Sequence, residues 1–288
     1  MTTTYSTLIN AAQLQALQAT GSPLMVFDCS FELTQADAGP AQFAQTHIAG
    51  ARYADLNQAL SVHTEGAPRA SGGRHPLPTR EAFAKWLGQM GFQNGMQAVV
   101  YDRQGANYCG RLWWMLQWLG HEAVAVLDGG LQAWQAAGGA VQSGSAPTAT
   151  PSSFAIAPAR VELVTVQDMV QRMTQGRPII DARGAPRYRG EVEPLDPVAG
   201  HIPGALNRVF TSNLDANGFF KPAATLRTEF EALLGQRDAT DVTHHCGSGV
   251  SAIPNVLAME IAGLGRSALF AGSWSEWTAD PARPVAQG

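Results

Sequence analysis

The chain has 288 residues, of which 45% are hydrophobic and 15% charged, and its formal net charge is -4. It can bury one large core or two medium ones, and its weak negative charge gives no broad positive field for nucleic acid or an acidic membrane. No apolar run approaches the roughly 18 to 20 residues of a membrane helix, and residues 1–5 carry neither the basic nor the apolar part of a secretory signal. We therefore expect a cytoplasmic protein without a nucleic-acid or membrane partner.

Short apolar strand patterns alternate with amphipathic helix patterns in both halves of the chain. In the first half, the patterns predict a strand at 24–28, a helix at 80–91, a strand at 98–101, a helix at 112–116 and a strand at 124–127. In the second half, they predict a strand at 179–181, a helix at 227–234, a strand at 241–245 and a helix at 253–261. This alternation is typical of an α/β fold with a mostly parallel sheet flanked by helices, whose reactive groups lie at the carboxyl ends of strands.

Three segments of the first half return in the same order in the second half. The first is a strand that ends in aspartate, the second is a His-Ile-x-Gly-Ala segment, and the third is a tight turn followed by a helix that contains tryptophan. The pairs are 26–28 with 179–181, 47–51 with 201–205, and 127–134 with 270–277. A repeat in register predicts two related domains.

A stretch rich in Gly, Ser, Ala, Pro and Thr separates the two copies, which is a composition typical of linkers. We expect an N-terminal domain over residues 1–140, a linker over 141–158 and a C-terminal domain over 159–288. Two units are too few for a solenoid, so a pair of related domains is the natural arrangement.

The three cysteines, Cys29, Cys109 and Cys246, are widely spaced and form no CxxC pair, so neither a disulfide framework nor a zinc site is indicated. We expect no metal and no cofactor. Cys29 ends an apolar run and Cys109 precedes an apolar helix pattern, which favours core positions for both.

Cys246 lies where a predicted strand gives way to a predicted helix, in the loop Cys-Gly-Ser-Gly-Val-Ser. Gly247 and Gly249 would let the backbone curl so that successive N–H groups converge, and the helix N-terminus behind them adds positive potential. Such a loop favours a thiolate and an anion bound to it. The alternative is a tight turn with a buried cysteine as filler. The equivalent loop of the first copy has Asp102 in place of the cysteine, as expected of an enzyme with one active and one silent domain.

The chain resembles the tandem rhodanese family over nearly its whole length. The residues that carry the resemblance are the paired His-Ile-x-Gly-Ala segments and the stretches 72–78, 101–102, 127–130, 181–183, 246–251 and 272–277. In that family, members that prefer thiosulfate usually have cationic residues after the cysteine, whereas members that prefer 3-mercaptopyruvate have Gly-Ser-Gly-Val-Thr. Here the last residue is Ser251, which keeps a hydroxyl. A dianion without a nearby cation would cost several kcal/mol to bury, which also favours mercaptopyruvate.

The resemblance implies a sulfurtransferase in which Cys246 takes sulfur from 3-mercaptopyruvate, releases pyruvate and holds the sulfur as a persulfide. The backbone N–H groups from Gly247 to Ser251, including Gly249 and Val250, would bind the persulfide. A thiol, a thioredoxin-like reductant or cyanide would then remove the outer sulfur. Ser248 could donate to the leaving carbonyl or relay the thiol proton, or it could cap the helix.

By the same resemblance, Arg187 matches the family's carboxylate-binding arginine, while a second family arginine is replaced by Leu195. Arg74, Arg183 or Arg189 could substitute for it, and each could equally be a structural or surface residue.

The resemblance also assigns His75 to a proton relay with the loop serine. The supporting aspartate position of the family corresponds to Asn57, with Asp55 two residues earlier. An asparagine orients an imidazole but stabilises its charged form less well than a carboxylate.

Three other functions compete with this prediction. Transfer of sulfur from thiosulfate to cyanide is the main alternative. A cysteine-based phosphatase would need an arginine six residues after the cysteine, where this chain has Ala252. A non-catalytic binding module would be expected to have lost Cys246 as well.

Overall fold

The computed structural model describes residues 4–288, which fold into two compact units. Unit 1 comprises the residues up to Val62 together with Pro78–Arg160 and Ala216–Phe219. Unit 2 comprises His63–Leu77, Val161–Asp215 and Phe220–Gly288. Segment 63–77 therefore belongs to unit 2 although its chain neighbours on both sides belong to unit 1. The expectation about a secretory signal concerns residues 1–5, of which 1–3 lie outside the described residues.

Unit 1 is built on a five-stranded parallel sheet with the strand order β1-β6-β5-β2-β4. A short antiparallel pair, β3 with β7, adds the beginning of the predicted linker to this unit. Its elements are β1 (Leu8–Ile9), α1 (Ala11–Ala19), β2 (Leu24–Asp28), α2 (Ala38–Gln45), β3 (His47–Ile48), β4 (Arg52–Tyr53), α3 (Arg80–Gln89), β5 (Gln97–Tyr101), α4 (Cys109–Trp118), β6 (Val124–Leu127), α5 (Gly130–Ala136) and β7 (Val141–Gln142).

Unit 2 has a four-stranded parallel sheet with the order β11-β10-β8-β9. Its elements are α6 (Val166–Thr174), β8 (Ile179–Asp181), α7 (Ala185–Tyr188), β9 (Leu206–Asn207), a 3-10 helix (Phe210–Asn213), α8 (Ala223–Leu234), a second 3-10 helix (Ala239–Asp241), β10 (Thr243–His245), α9 (Ile253–Ile261), β11 (Ala268–Leu269) and α10 (Ser273–Trp277).

The two sheets have the same order once the repeats are matched, which confirms the duplicated α/β fold. β6, β5, β2 and β4 correspond to β11, β10, β8 and β9. Even β1 has a counterpart, because Leu163 forms a parallel bridge to Leu269 at the outer edge of β11. Each sheet is parallel throughout, and its central strands carry buried residues on both faces, as expected where helices cover both sides.

Local sequence explains where the helices begin. Thr79 caps α3, since its hydroxyl accepts a hydrogen bond from the N–H of Ala82 at 3.2 Å. Helix α8 begins four residues before the predicted start at 227, directly after Pro222. The apolar pattern underestimated this helix because its first turn is Ala-Ala-Thr-Leu and shows little periodicity.

Cys29 and Cys109 are core residues, each about 1% exposed, which confirms the prediction for both. Burial raises the pKa of each thiol well above its ordinary value, and Asp28 and Asp102 raise it further. All three cysteines are free thiols. Within residues 4–288, no helix combines the length and the apolar character that crossing a membrane requires.

Candidate active site

Cys246 follows the last residue of β10 and precedes the start of α9 at Ile253. Its side chain is only 2% exposed. The N–H of Gly249 donates to the Cys246 sulfur at 3.2 Å, and the N–H of Cys246 donates to the Ser273 hydroxyl at 3.0 Å. One N–H of the loop, that of Gly249, therefore points at the sulfur.

Gly249 is required by the shape of this loop. Its φ of +75° lies in the left-handed region, and a Cβ added there would lie 2.0 Å from the carbonyl oxygen of Ala271. That carbonyl belongs to the segment just before α10, so the loop packs directly against backbone. No side chain larger than hydrogen fits without moving one of the two segments.

His75 and Ser248 are in direct contact in unit 2. The His75 Nδ1 and the Ser248 Oγ lie 2.8 Å apart, and both side chains are buried. Val250 is 4% exposed and Ser251 is partly exposed, so the second half of the loop lies mostly in the interior. The serine two residues after Cys246 thus has a histidine partner 173 positions earlier in the chain.

Two arginines converge on Gly247. A Cβ added at Gly247 would lie 3.2 Å from Nη2 of Arg74 and 3.4 Å from both Nη1 and Nη2 of Arg187. Two guanidinium groups therefore lie close to the backbone of Gly247, one residue from Cys246. Paired guanidinium groups are the side chains that bind carboxylates and similar anions best.

Arg183 is placed differently from the other two predicted arginines. It is 3% exposed, and its guanidinium pairs with Asp181 at 2.7 Å and with Glu193 at 3.1 Å. It also donates to the carbonyl of Gly200 at 2.6 Å and lies over the ring of Trp274. Its donors are thus used inside unit 2, where it neutralises the carboxylate at the end of β8.

Buried groups at the end of β8 and β10 affect one another's protonation. His245 precedes Cys246, and its Nε2 lies 3.7 Å from Oδ2 of Asp181. Burial lowers the pKa of His245, although Asp181 opposes the shift. Burial raises the pKa of Asp181, but His245 and Arg183 together bring it below its ordinary value. A neutral imidazole and a charged carboxylate therefore lie behind the cysteine.

The first turn of α10 holds the cysteine loop in place. The N–H groups of Trp274 and Ser275 donate to the carbonyls of Cys246 and Gly247 at 3.0 and 2.9 Å. The hydroxyl of Ser275 also accepts from the N–H of Arg74 at 2.9 Å. Ser275 thus links the loop to the segment that carries Arg74, a role that the sequence did not predict.

Glu193 and Asp196 were also missed from the sequence. Glu193 accepts from Arg187 at 2.6 Å, and Asp196 bridges Arg187 at 3.2 Å and Arg74 at 2.6 Å. Both carboxylate side chains are 3% exposed. Two acids three residues apart, shortly after an arginine, were the available signal in the sequence.

The equivalent loop of unit 1 holds an anion of its own. The buried carboxylate of Asp102, which replaces the cysteine, accepts hydrogen bonds from four backbone N–H groups at 2.8 to 3.0 Å. The donors are Gln104, Ala106, Tyr108 and Cys109. A loop of this length between a strand and a helix can therefore surround a negative group with backbone donors.

Arg103 occupies the position in unit 1 that Gly247 occupies in unit 2. Its guanidinium pairs with the buried Asp28 at 3.2 Å and also donates to the hydroxyl of Ser30. In unit 2 the corresponding aspartate is neutralised by Arg183, which stands two residues after it. The two units thus neutralise the same strand-end charge from different points of the chain.

Asp55 and Asn57 lie in unit 1. The N–H of Asn57 donates to Oδ1 of Asp55 at 2.7 Å, so Asp55 starts a turn in its own loop. Support of His75 by either residue stays a prediction. Arg189 is a surface residue that pairs with Glu191 at 2.6 Å.

Comparison with known proteins identifies the family of the chain. The rhodanese-like domain model matches residues 10–137 and 165–280. A Pseudomonas aeruginosa protein named "Probable 3-mercaptopyruvate sulfurtransferase" is 43% identical over 285 residues, covering 98% of both chains. The thiosulfate sulfurtransferase of Bos taurus is 31% identical over 280 residues, covering 93% of this chain and 90% of that protein. A solved 3-mercaptopyruvate sulfotransferase of Escherichia coli has a TM-score of 0.78 at 30% identity, covering 94% of this chain and 100% of that one. The chain belongs to the rhodanese family and contains two rhodanese-like domains.

Proposed function

We propose that this protein transfers sulfur from 3-mercaptopyruvate to a thiol or to cyanide through a persulfide on Cys246. The observation that carries the proposal is the loop itself: a single nucleophilic sulfur receives a backbone N–H, and two arginines face the adjacent Gly247. The relatives named as sulfurtransferases cover the chain from end to end, which supports the same chemistry.

In the first step, the Cys246 thiolate attacks the sulfur of 3-mercaptopyruvate. A sulfur–sulfur bond forms and the carbon–sulfur bond breaks, leaving its electron pair on the enolate of pyruvate. The donor's thiol proton ends on the enolate carbon, which becomes the methyl group of pyruvate, and Cys246 keeps the sulfur as a persulfide anion. Since Ser248 lies 2.8 Å from His75, this pair is well placed to carry the proton.

In the second step, the acceptor attacks the outer sulfur of the persulfide. Cyanide leaves as thiocyanate, a thiol leaves as its persulfide, and a thioredoxin-like dithiol leaves as a disulfide with release of hydrogen sulfide. Each exchange returns the Cys246 thiolate. The backbone N–H groups of Gly247, Gly249, Val250 and Ser251 would stabilise the persulfide until that point, as four such groups stabilise the Asp102 carboxylate. The protein would act in the cytoplasm, where such thiol acceptors are reduced.

Arg187 and Arg74 are the residues that we assign to the donor's carboxylate. Each has a terminal nitrogen within 3.4 Å of the Cβ position at Gly247. Arg183, the third predicted candidate, would act through Glu193, which it shares with Arg187. Arg74 then supplies the second cation, which the family usually places where this chain has Leu195.

The same site could accept thiosulfate, which is the second candidate function. The convergence of two guanidinium groups on Gly247 favours it, because an anionic sulfonate could bind there. Which of the two donors is preferred, thiosulfate or 3-mercaptopyruvate, depends on how much negative charge the site can bind.

The test is intact-mass measurement after incubation with each donor in the absence of acceptor. With 3-mercaptopyruvate, we expect the mass to rise by one sulfur atom and one equivalent of pyruvate to appear. Cys246→Ser should abolish both, whereas Cys29→Ser should leave both intact because Cys29 is a core thiol of unit 1. A sulfur gain with thiosulfate only would overturn the donor assignment, and sulfur gain by Cys246→Ser would overturn the site.

A further inference from the structure

Asp196 is a buried carboxylate that joins the two arginines of the site. Its Oδ1 lies 2.6 Å from Arg74 Nη1 and its Oδ2 lies 3.2 Å from Arg187 Nη2, while its side chain is 3% exposed. Contacts within unit 2 also hold the backbone of Asp196, since its N–H donates to the Glu193 carboxylate at 3.3 Å. Its two carboxylate oxygens therefore each contact one of the two arginines.

The charges around Asp196 balance one another. A continuous series of ion pairs runs from the end of β8 to segment 63–77 and alternates acid with base. Its members are Asp181, Arg183, Glu193, Arg187, Asp196 and Arg74. Three acids and three arginines give a formal charge of zero. Arg74 and Arg187 face the donor, but the series of ion pairs to which they belong has no net positive charge.

One nitrogen of each arginine remains available in this arrangement. Arg74 Nη2 and Arg187 Nη1 lie 3.2 and 3.4 Å from the Cβ position at Gly247, and neither has a hydrogen-bond acceptor among the described residues. Two donors match the two oxygens of a single carboxylate. An anion bound there also lies close to the Asp196 charge on the other side of the guanidinium groups.

We propose that Asp196 is a specificity-determining residue that tunes the site for singly charged donors and against doubly charged ones. The inference rests on the proposed function and deepens it. A buried anion is stabilised by the net charge around it, and Asp196 cancels the one positive charge by which the three arginines would otherwise exceed Asp181 and Glu193. 3-Mercaptopyruvate brings one negative charge, whereas thiosulfate brings two. The second charge of thiosulfate therefore meets a site without a surplus of positive charge.

The test compares the kcat/KM for both donors in the wild type, Asp196→Asn and Asp196→Ala. Neutralising Asp196 should raise the ratio of thiosulfate to 3-mercaptopyruvate efficiency by about tenfold, which corresponds to about 1.4 kcal/mol of relative transition-state binding. Glu191→Gln is the matched control, because it removes the same charge from an exposed pair in the same unit. It should leave the ratio unchanged. Thermal unfolding of each variant verifies that it is folded.

A merely structural Asp196 would give a different result. If its carboxylate only holds the arginines in position, both donors lose efficiency in proportion and the ratio stays constant, which overturns the inference. If the wild type gains no sulfur from 3-mercaptopyruvate, the proposed function has failed, and the ratio measured with the variants does not rescue it.

A measurement on the wild type keeps the inference testable if neither variant folds. Methanesulfonate and sulfate have similar shapes but carry one and two negative charges. At equal ionic strength, methanesulfonate should inhibit the wild type at least as strongly as sulfate. Stronger inhibition of the wild type by sulfate would overturn the inference.

Discussion

Replacing Gly249 with alanine should abolish sulfur loading while leaving unit 2 folded. The φ of Gly249 is +75°, and an alanine in that conformation costs about 1–2 kcal/mol. Its Cβ would also lie 2.0 Å from the Ala271 carbonyl oxygen, so loop or backbone must shift. Forcing extra atoms into a packed region typically costs a further 1–3 kcal/mol, about the same as a lost buried hydrogen bond. Since the Gly249 N–H is the donor to the Cys246 sulfur, the shift acts on the nucleophile directly.

Gly204→Ala is the matched control for this prediction. Gly204 lies in the same unit with a φ of +80°, and no described atom lies within 4 Å of the Cβ position. It should show only the backbone cost, with a Tm lowered by roughly 2–4 °C for each kcal/mol and normal loading in the intact-mass assay. Gly249→Ala should have the lower Tm of the two and gain no sulfur. If Gly249→Ala loads sulfur as fast as Gly204→Ala, the packing of Ala271 against the loop does not control the site.

Two further predictions concern ionisation. Because burial raises the pKa of Cys29 and Cys109, both thiols stay protonated at pH 8. The native Cys246→Ser variant should therefore take up no iodoacetamide, and the denatured variant should take up two equivalents. Rapid labelling of the native variant would show that these thiols are accessible. Burial lowers the pKa of His244 from 6.5 to about 3, so between these pH values the unfolded chain binds more protons than the folded one. The free energy of unfolding should therefore decrease as the pH drops, by up to about 1.4 kcal/mol per pH unit. Urea midpoints at pH 7, 6, 5 and 4 should therefore decrease less steeply in His244→Leu than in the wild type; equal slopes would assign the acid sensitivity to other groups, such as His245.

Most of the fold could be predicted from the repeat and from local sequence patterns, because these patterns determine where strands and helices form. Strand and helix periodicity depends on nearby residues, and the paired segments fixed which strands correspond. Cys246 at a strand-to-helix loop followed from the same patterns. The start of α8 was displaced because its first turn contains small residues whose burial is decided by packing rather than by periodicity.

The charged part of the site could not be predicted in the same way. Asp196 and Arg74 are 122 positions apart, and their contact depends on segment 63–77 packing into unit 2. The family resemblance offers Arg183 as one of three arginines that could replace the one missing at Leu195. Its guanidinium pairs with Asp181, because a carboxylate buried at that depth needs a counter-charge. No sequence pattern reveals which of several nearby arginines a buried acid will engage.

The different sources of the strand-end cation have a consequence for any attempt to build the Cys246 loop into unit 1. In unit 1, Arg103 neutralises Asp28 from within the loop that corresponds to the Cys246 loop. A cysteine in place of Asp102 would not be enough to reproduce that loop, because Arg103 would still occupy the position of Gly247. Exchanging Arg103 for glycine would in turn leave Asp28 buried without a partner, at a cost of about 3–5 kcal/mol.

A third change is therefore needed, an arginine at Ser30, which corresponds to Arg183 of unit 2. With Arg103→Gly alone, Asp28 lacks its counter-charge, and with Asp102→Cys alone, Arg103 stays in the loop. The three positions are therefore coupled through the buried charge of Asp28. That coupling, in addition to the residue at position 102, separates the loop of unit 1 from the loop of unit 2.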